Sequence, residues 1–190
     1  MVVLEARDVS YRRCGATSLR RVSVAVMRGE LLAVCGPAGA GTSALVSILG
    51  GACRPDAGRI LRRIGRPTLT RGADGADAAL ESAGPGSVLL LDHAADPDAD
   101  EDAVLARGRR AAERGAAVVA TTHDLALAAR HAHTAALLVA GRLVAWAEPA
   151  VAFVPAVRLL GFTGSLPPDP CPAGPADTAS RRGHPSVVAG

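Results

Sequence analysis

No lysine occurs anywhere in the chain; all 21 of its basic side chains are arginine. Aromatic residues make up only 2% of the sequence, so a core has to come from Val, Leu, Ile and the alanine that lifts the apolar fraction to 49%. The arginines are scattered or paired in short steps such as Arg12-Arg13, Arg20-Arg21 and Arg62-Arg63, and the net charge is +3. With so few rings to stack on bases, no nucleic-acid surface is expected. The four cysteines, Cys14, Cys35, Cys53 and Cys171, form no CxxC pair and no metal-ligand spacing. They read as reduced, small apolar residues of a cytoplasmic protein. No apolar run approaches bilayer-spanning length, and Met1 to Asp8 meets charge too early for a signal peptide. A coding bias toward Arg, Ala, Gly and Pro accounts for the missing lysine, but it does not supply an ammonium where chemistry needs one.

What is present is a glycine-rich segment, Gly36-Pro37-Ala38-Gly39-Ala40-Gly41-Thr42-Ser43, between two apolar stretches. Leu31 to Cys35 reads as a buried strand, and Ala44 to Leu49 as a helix. Strand, glycine turn and helix give the context of a phosphate-cradling loop. Glycines let successive N–H groups point inward at an anion, and the helix N-terminus adds partial positive charge. The slot that should hold lysine carries Thr42.

Around this loop, Val2–Ser10 and the alternating Val22, Val24 and Val26 read as strands. Arg54-Pro55-Asp56-Ala57-Gly58 is a turn into a short strand at 59–61. Residues 66–86 carry weak signals, with one short helix expected over Asp77–Ser82. Val88–Asp92 is a buried strand ending in a carboxylate. A helix is expected over Asp98–Arg114, acidic early, basic late and stopped by Gly115. Ala116–Ala120 is a strand leading to Thr121-Thr122-His123-Asp124 and a helix to about Arg130. Residues 135–139 and 143–146 suggest a hairpin. Short apolar strands alternating with helices argue an α/β fold with a mainly parallel sheet flanked by helices. One domain is expected over 1–160, followed by a Pro- and Gly-rich tail, 161–190, with little to bury.

In this order the motifs resemble the nucleotide-binding subunit of ATP-binding-cassette (ABC) transporters. Asp8-Val9-Ser10-Tyr11 resembles the strand that presents an aromatic ring to adenine, and Gly36 to Ser43 resembles Walker A. Val88 to Asp92 is similar to Walker B, Thr121 to Asp124 to the switch-histidine region, and Gly141 to Val144 to the hairpin beyond it. The resemblance implies a P-loop NTPase-like fold with an N-terminal antiparallel portion, ATP and Mg2+ as ligands, and a membrane permease subunit as partner. It also implies a dimer with a like or unlike nucleotide-binding subunit. Ser43 and Asp92 would then hold the metal, Tyr11 would stack on adenine, and His123 would reach the terminal phosphate.

The departures fall on the catalytic parts. Thr42 replaces the lysine, and His93 stands where the family has a glutamate. Nothing between Arg62 and Val88 resembles the LSGGQ signature, and the span from Ser43 to Asp92 is too short to hold the family's helical subdomain. His93 is either an acceptor for a water proton or a polar residue in a decayed site. Asp96-Pro97-Asp98 matches the family's dimer-communication loop poorly. His123, His131 and His133 are not spaced as a zinc site. Three functions remain open: an ATP-binding transport subunit with weak or no hydrolysis, a non-catalytic pseudo-ATPase that regulates or scaffolds, or a chain without selected activity. Whether ATP hydrolysis survives is left open by the same departures.

Overall fold

Apolar residues carry the chain out along Val2–Arg13 (β1) and back along Ala16–Met27 (β2), burying Leu4, Ala6 and Val9 with the alternating Val22, Val24 and Val26. The pairing slips between Ala6 and Val9 and again between Val9 and Tyr11, and Asp8 at the first slip and Arg21 at the second adopt φ of 50°. Serine hydroxyls take up the displaced amides: Asp8 N–H donates to Ser23 Oγ at 2.8 Å and Arg21 N–H to Ser10 Oγ at 3.0 Å. The wholly buried Leu31–Cys35 (β3) runs into the glycine turn and Thr42–Gly50 (α1). Ala57–Arg62 (β4) then pairs with β1, completing an antiparallel sheet in the order β2-β1-β4.

The remaining elements are Thr68–Arg71 (β5), Ala73–Ser82 (α2), Val88–Asp92 (β6), Glu101–Glu113 (α3), Ala117–Thr122 (β7), Leu125–His131 (α4), Thr134–Val139 (β8), Arg142–Ala147 (β9) and Pro149–Ala152 (α5). With β3 they build a six-stranded sheet, β5-β6-β7-β3-β8-β9, parallel except for the β8–β9 hairpin. This computed structural model describes residues 1–13, 16–71, 73–92 and 100–153, apart from the side chains of 16, 17 and 73–75. Cys14, Cys171 and the tail 161–190 lie outside the described residues.

The period of two along the central strands divides the core. Leu32, Val34, Leu90 and Val119 face α1 and the antiparallel sheet, while Leu31, Ala33, Leu89, Leu91 and Val118 face α2, α3 and α4. Because both faces are covered, these strands read as continuous apolar runs. Their carboxyl ends, Cys35, Asp92 and Thr122, come to one edge of the sheet, where open α/β sheets bind ligands.

Two sequence expectations are corrected here. The helix expected over 77–82 begins at Ala73, and Thr68–Arg71, which has no apolar run, forms an edge strand because β6 offers it a partner. The helix expected over 98–114 runs from Glu101 to Glu113; the Asp100 carboxylate accepts the Ala103 N–H at 3.1 Å and caps it. Gly115, at φ 96°, closes its far end by donating to Ala112 O.

Candidate functional site

The loop between β3 and α1 is shaped by what its glycines allow. Gly39 and Gly41 have φ of 76° and 99°, a region that costs other residues about 1–2 kcal/mol. A Cβ at Gly41 would stand 2.3 Å from Ser18 O, and one at Gly36 would stand 2.4 Å from Leu138 O. The loop is therefore wedged between β2 and the β8–β9 hairpin. Ala40 N–H donates to Pro37 O at 2.9 Å inside the turn, and Gly141 N–H donates to Ala40 O at 3.0 Å from the hairpin. At the start of any α-helix the first N–H groups have no intrahelical carbonyl. Here those groups lie in Gly41 to Ala44, so their donors and the helix dipole gather at one spot.

Facing that spot is Asp92, only 3% exposed at the end of β6. Its Oδ1 accepts from Ser43 Oγ at 2.9 Å and from Thr121 Oγ1 at 3.2 Å. The loop serine and the strand carboxylate are thus joined directly. Arg71, at the end of β5, lies opposite Asp92 in register, with Nε 3.9 Å from Oδ2 and Nη2 donating to Ser47 Oγ at 3.0 Å. His123 Nδ1 donates to the Gly36 carbonyl at 2.7 Å, which fixes the ring against the loop's first residue. The Asp124 side chain caps α4 behind it, accepting from Ala126 and Leu127 N–H. Thr122 Oγ1 donates to Glu101 Oε2 at 3.0 Å and ties the start of α3 to the same edge.

Of the residues expected from sequence, Gly36 to Ser43, Asp92 and His123 come together. Pro37 to Gly39 line the loop's outer side, while Thr42 is 5% exposed. Tyr11 sits differently. It lies opposite Leu19 on the inner face of β1, packed on the core, and a hydrogen bond to Cys53 together with burial pushes its phenol up. Cys53 N–H donates to Ser47 O of α1, and Leu19, the cross-strand neighbour of Tyr11, lies against Gly41 of the loop. His93 and Asp96 to Asp98 lie outside the described residues. Burial pushes the Cys35 thiol up, with Glu101 and Asp124 adding to it, so the residue before the loop is an unreactive apolar filler.

Sequence reasoning missed Arg71, Thr121 and Ser47. Thr121 was visible as a hydroxyl at a strand end, whereas nothing in Thr68 to Arg71 announced a strand. Between β4 and β6 the described residues form only β5 and α2. The three histidines are apart: His131 Nε2 meets Asp102 Oδ1 at 2.7 Å, and His133 Nδ1 accepts the Leu31 N–H at 3.0 Å. Among the described residues no group of three or more His, Cys, Asp or Glu is placed to hold a metal.

Comparison with known proteins adds a family. The family model described as ABC transporter matches residues 19–119. The hemin import ATP-binding protein HmuV of Rhodopseudomonas palustris (strain HaA2) is 46% identical over 57 residues, covering 30% of this chain and 22% of that protein. The ribose import ATP-binding protein RbsA 2 of Streptomyces avermitilis is 43% identical over 79 residues, covering 41% of this chain and 15% of that protein. The chain thus spans less than a quarter of the length of these curated relatives. A nucleotide-free ATP-binding cassette from an ABC transporter superposes with a TM-score of 0.65 at 12% identity, covering 86% of this chain and 100% of that one. An ATP binding subunit of an ABC transporter gives 0.61 at 19% identity, covering 82% and 92%. At these identities the superpositions establish the fold.

Proposed function

The chain belongs to the ABC transporter family, and on that premise we propose that it is the ATP-binding part of a transport assembly that holds Mg-nucleotide with weak or no hydrolysis. One observation carries the reading: Ser43 Oγ meets Asp92 Oδ1 at 2.9 Å in the first turn of α1, straight after the glycine loop. A hydroxyl and a carboxylate are the hard oxygen donors magnesium takes alongside phosphate oxygens and water. The residues therefore fit the metal, and Ser43 and Asp92 would hold it. When bound, magnesium would supply positive charge that offsets the charge of the phosphate oxygens.

The chain's own residues would do the rest. The amides of Gly39 and of Gly41 to Ser43 would hold phosphate oxygens, Ala40 N–H being committed to Pro37 O, and the Gly36 carbonyl holds His123 with a proton on Nδ1, which leaves Nε2 as the ring's acceptor when neutral. Thr42 can give at most a neutral hydrogen bond, worth about 1 kcal/mol against about 1.5–3 kcal/mol for a charged one. The loss weighs more heavily on the transition state, where charge spreads over the phosphoryl oxygens. Tyr11 remains the proposed adenine contact, through the face of its ring. His93 would accept a water proton in any residual hydrolysis.

Among the described residues no helix is long and apolar enough to cross a membrane. Membrane attachment would come through a permease subunit, in keeping with the import proteins among the relatives. The buried neutral Thr42 favours a second reading, a non-catalytic pseudo-ATPase that senses nucleotide for a partner.

Titration with a fluorescent ATP analogue, with and without magnesium, tests the binding claim. Saturable binding that magnesium strengthens is expected, together with phosphate release at background. No saturation at millimolar nucleotide would overturn the proposal.

A further inference from the structure

We propose that Arg71 delivers to the phosphate site, from the neighbouring strand, the positive charge that Thr42 cannot. The inference rests on the nucleotide-binding reading and adds a residue that no motif assigns. A loop that binds triphosphate without a cation leaves several negative charges beside Asp92, itself a buried carboxylate. A compensating charge has to come from elsewhere, and in a chain without lysine the permanently charged side chains are arginines.

Arg71 is placed for this by topology. As the last residue of β5 it stands at the carboxyl edge of the parallel sheet, paired in register with Asp92. Its guanidinium bonds to α1 and lies beside Asp92. Nη2 reaches Ser47 Oγ at 3.0 Å, one helical turn beyond Ser43 on α1, and Nε lies 3.9 Å from Asp92 Oδ2. Asp92 Oδ1 meanwhile faces Ser43, so the two oxygens divide between arginine and loop. The 3.9 Å separation is too long for a charge-assisted hydrogen bond, which runs near 2.7–2.9 Å in general. Arg71 is 53% exposed, and loose pairs of this kind contribute little. Turning toward an arriving phosphate exchanges the Ser47 hydrogen bond and the long Asp92 pair for charge-assisted bonds to phosphate. Its planar fork of five N–H donors suits bidentate phosphate contact better than an ammonium does. Without nucleotide Arg71 offsets the charge of Asp92, and with Mg-nucleotide bound its guanidinium would turn to the phosphate.

The rival explanation is an ion pair that merely closes the edge strand β5 against α1. Titration of the fluorescent ATP analogue in magnesium buffer separates the two, using wild type, Arg71→Gln, Arg71→Lys and the double variant Thr42→Lys/Arg71→Gln. Arg71→Gln is expected to bind about tenfold more weakly, the difference between a charged and a neutral hydrogen bond. Arg71→Lys should stay within about threefold of wild type, and the double variant should recover wild-type affinity or better, since the charge is returned from within the loop. Circular dichroism melts of each variant accompany the titrations. If wild type saturates while Arg71→Gln binds as tightly, the assignment of Arg71 is overturned and nucleotide binding stands. Equal weakness of the Lys and Gln variants would also overturn it, because charge would not then be what residue 71 provides. Absence of saturation in wild type would remove both.

Discussion

Asp92 is the residue on which the site turns. It is nearly sequestered from solvent, accepts hydrogen bonds from Ser43 and Thr121, and faces Arg71 on its other oxygen. On the proposed reading this carboxylate would hold a divalent cation opposite the loop, with a negative charge that an amide of the same shape lacks. Asp92→Asn should therefore bind the fluorescent ATP analogue equally with and without magnesium, whereas wild type should bind more tightly with it. A variant that still gains from magnesium would show that the metal sits elsewhere. Ser43, Asp92 and the loop glycines were legible from the sequence because each stands at the junction of an apolar strand with a polar or flexible residue. Arg71 was not legible, since an arginine after Thr68-Leu69-Thr70 has no local signal and gains its place only from the register of β5 on β6.

The loop itself is held by two different constraints, and its glycines should separate them. Gly39 needs only its positive φ, because no atom lies within 4 Å of where its Cβ would be. Gly41 needs both its φ and the close approach of Ser18 O from β2. Gly39→Ala should cost about 1–2 kcal/mol in urea unfolding, the left-handed penalty alone. Gly41→Ala should cost clearly more, since backbone has to move. Equal unfolding midpoints for the two variants would mean that the β2 contact does not brace the loop. That contact, like the hairpin bond from Gly141 to Ala40, joins segments distant in sequence and could not be read locally. Strands β3, β6 and β7 could be, since burial on both faces leaves an unbroken apolar run. The helix over 73–82 was only half visible because its first turn, Ala73 to Ala76, carries little apolar pattern.

The molecule as a whole should lose stability in mild acid, through His133 among others. Burial, and after it the Arg109 guanidinium, hold this imidazole below its ordinary value, while Glu30 and Glu113 pull the other way. Its Nδ1 accepts the Leu31 N–H at the foot of β3, a bond that protonation would break. A lowered histidine contributes its full stability above the unfolded value, about 6.5, and loses it as pH falls through the folded value. Urea midpoints should thus drop between about pH 7.5 and about pH 5.5, and His133→Gln should drop less. An identical decline in both proteins would assign the effect to other groups.

The order of motifs made the family fold legible in advance, while the edge strand β5 and the side-chain contacts around Asp92 came only with the tertiary structure. Hydrogen–deuterium exchange in saturating Mg-ADP reads the anion-holding loop directly. Amides of residues 38–44 should exchange more slowly with nucleotide present, along with the end of β6 at Asp92. Exchange unchanged across that loop at full occupancy would contradict its role, wherever else the nucleotide had gone.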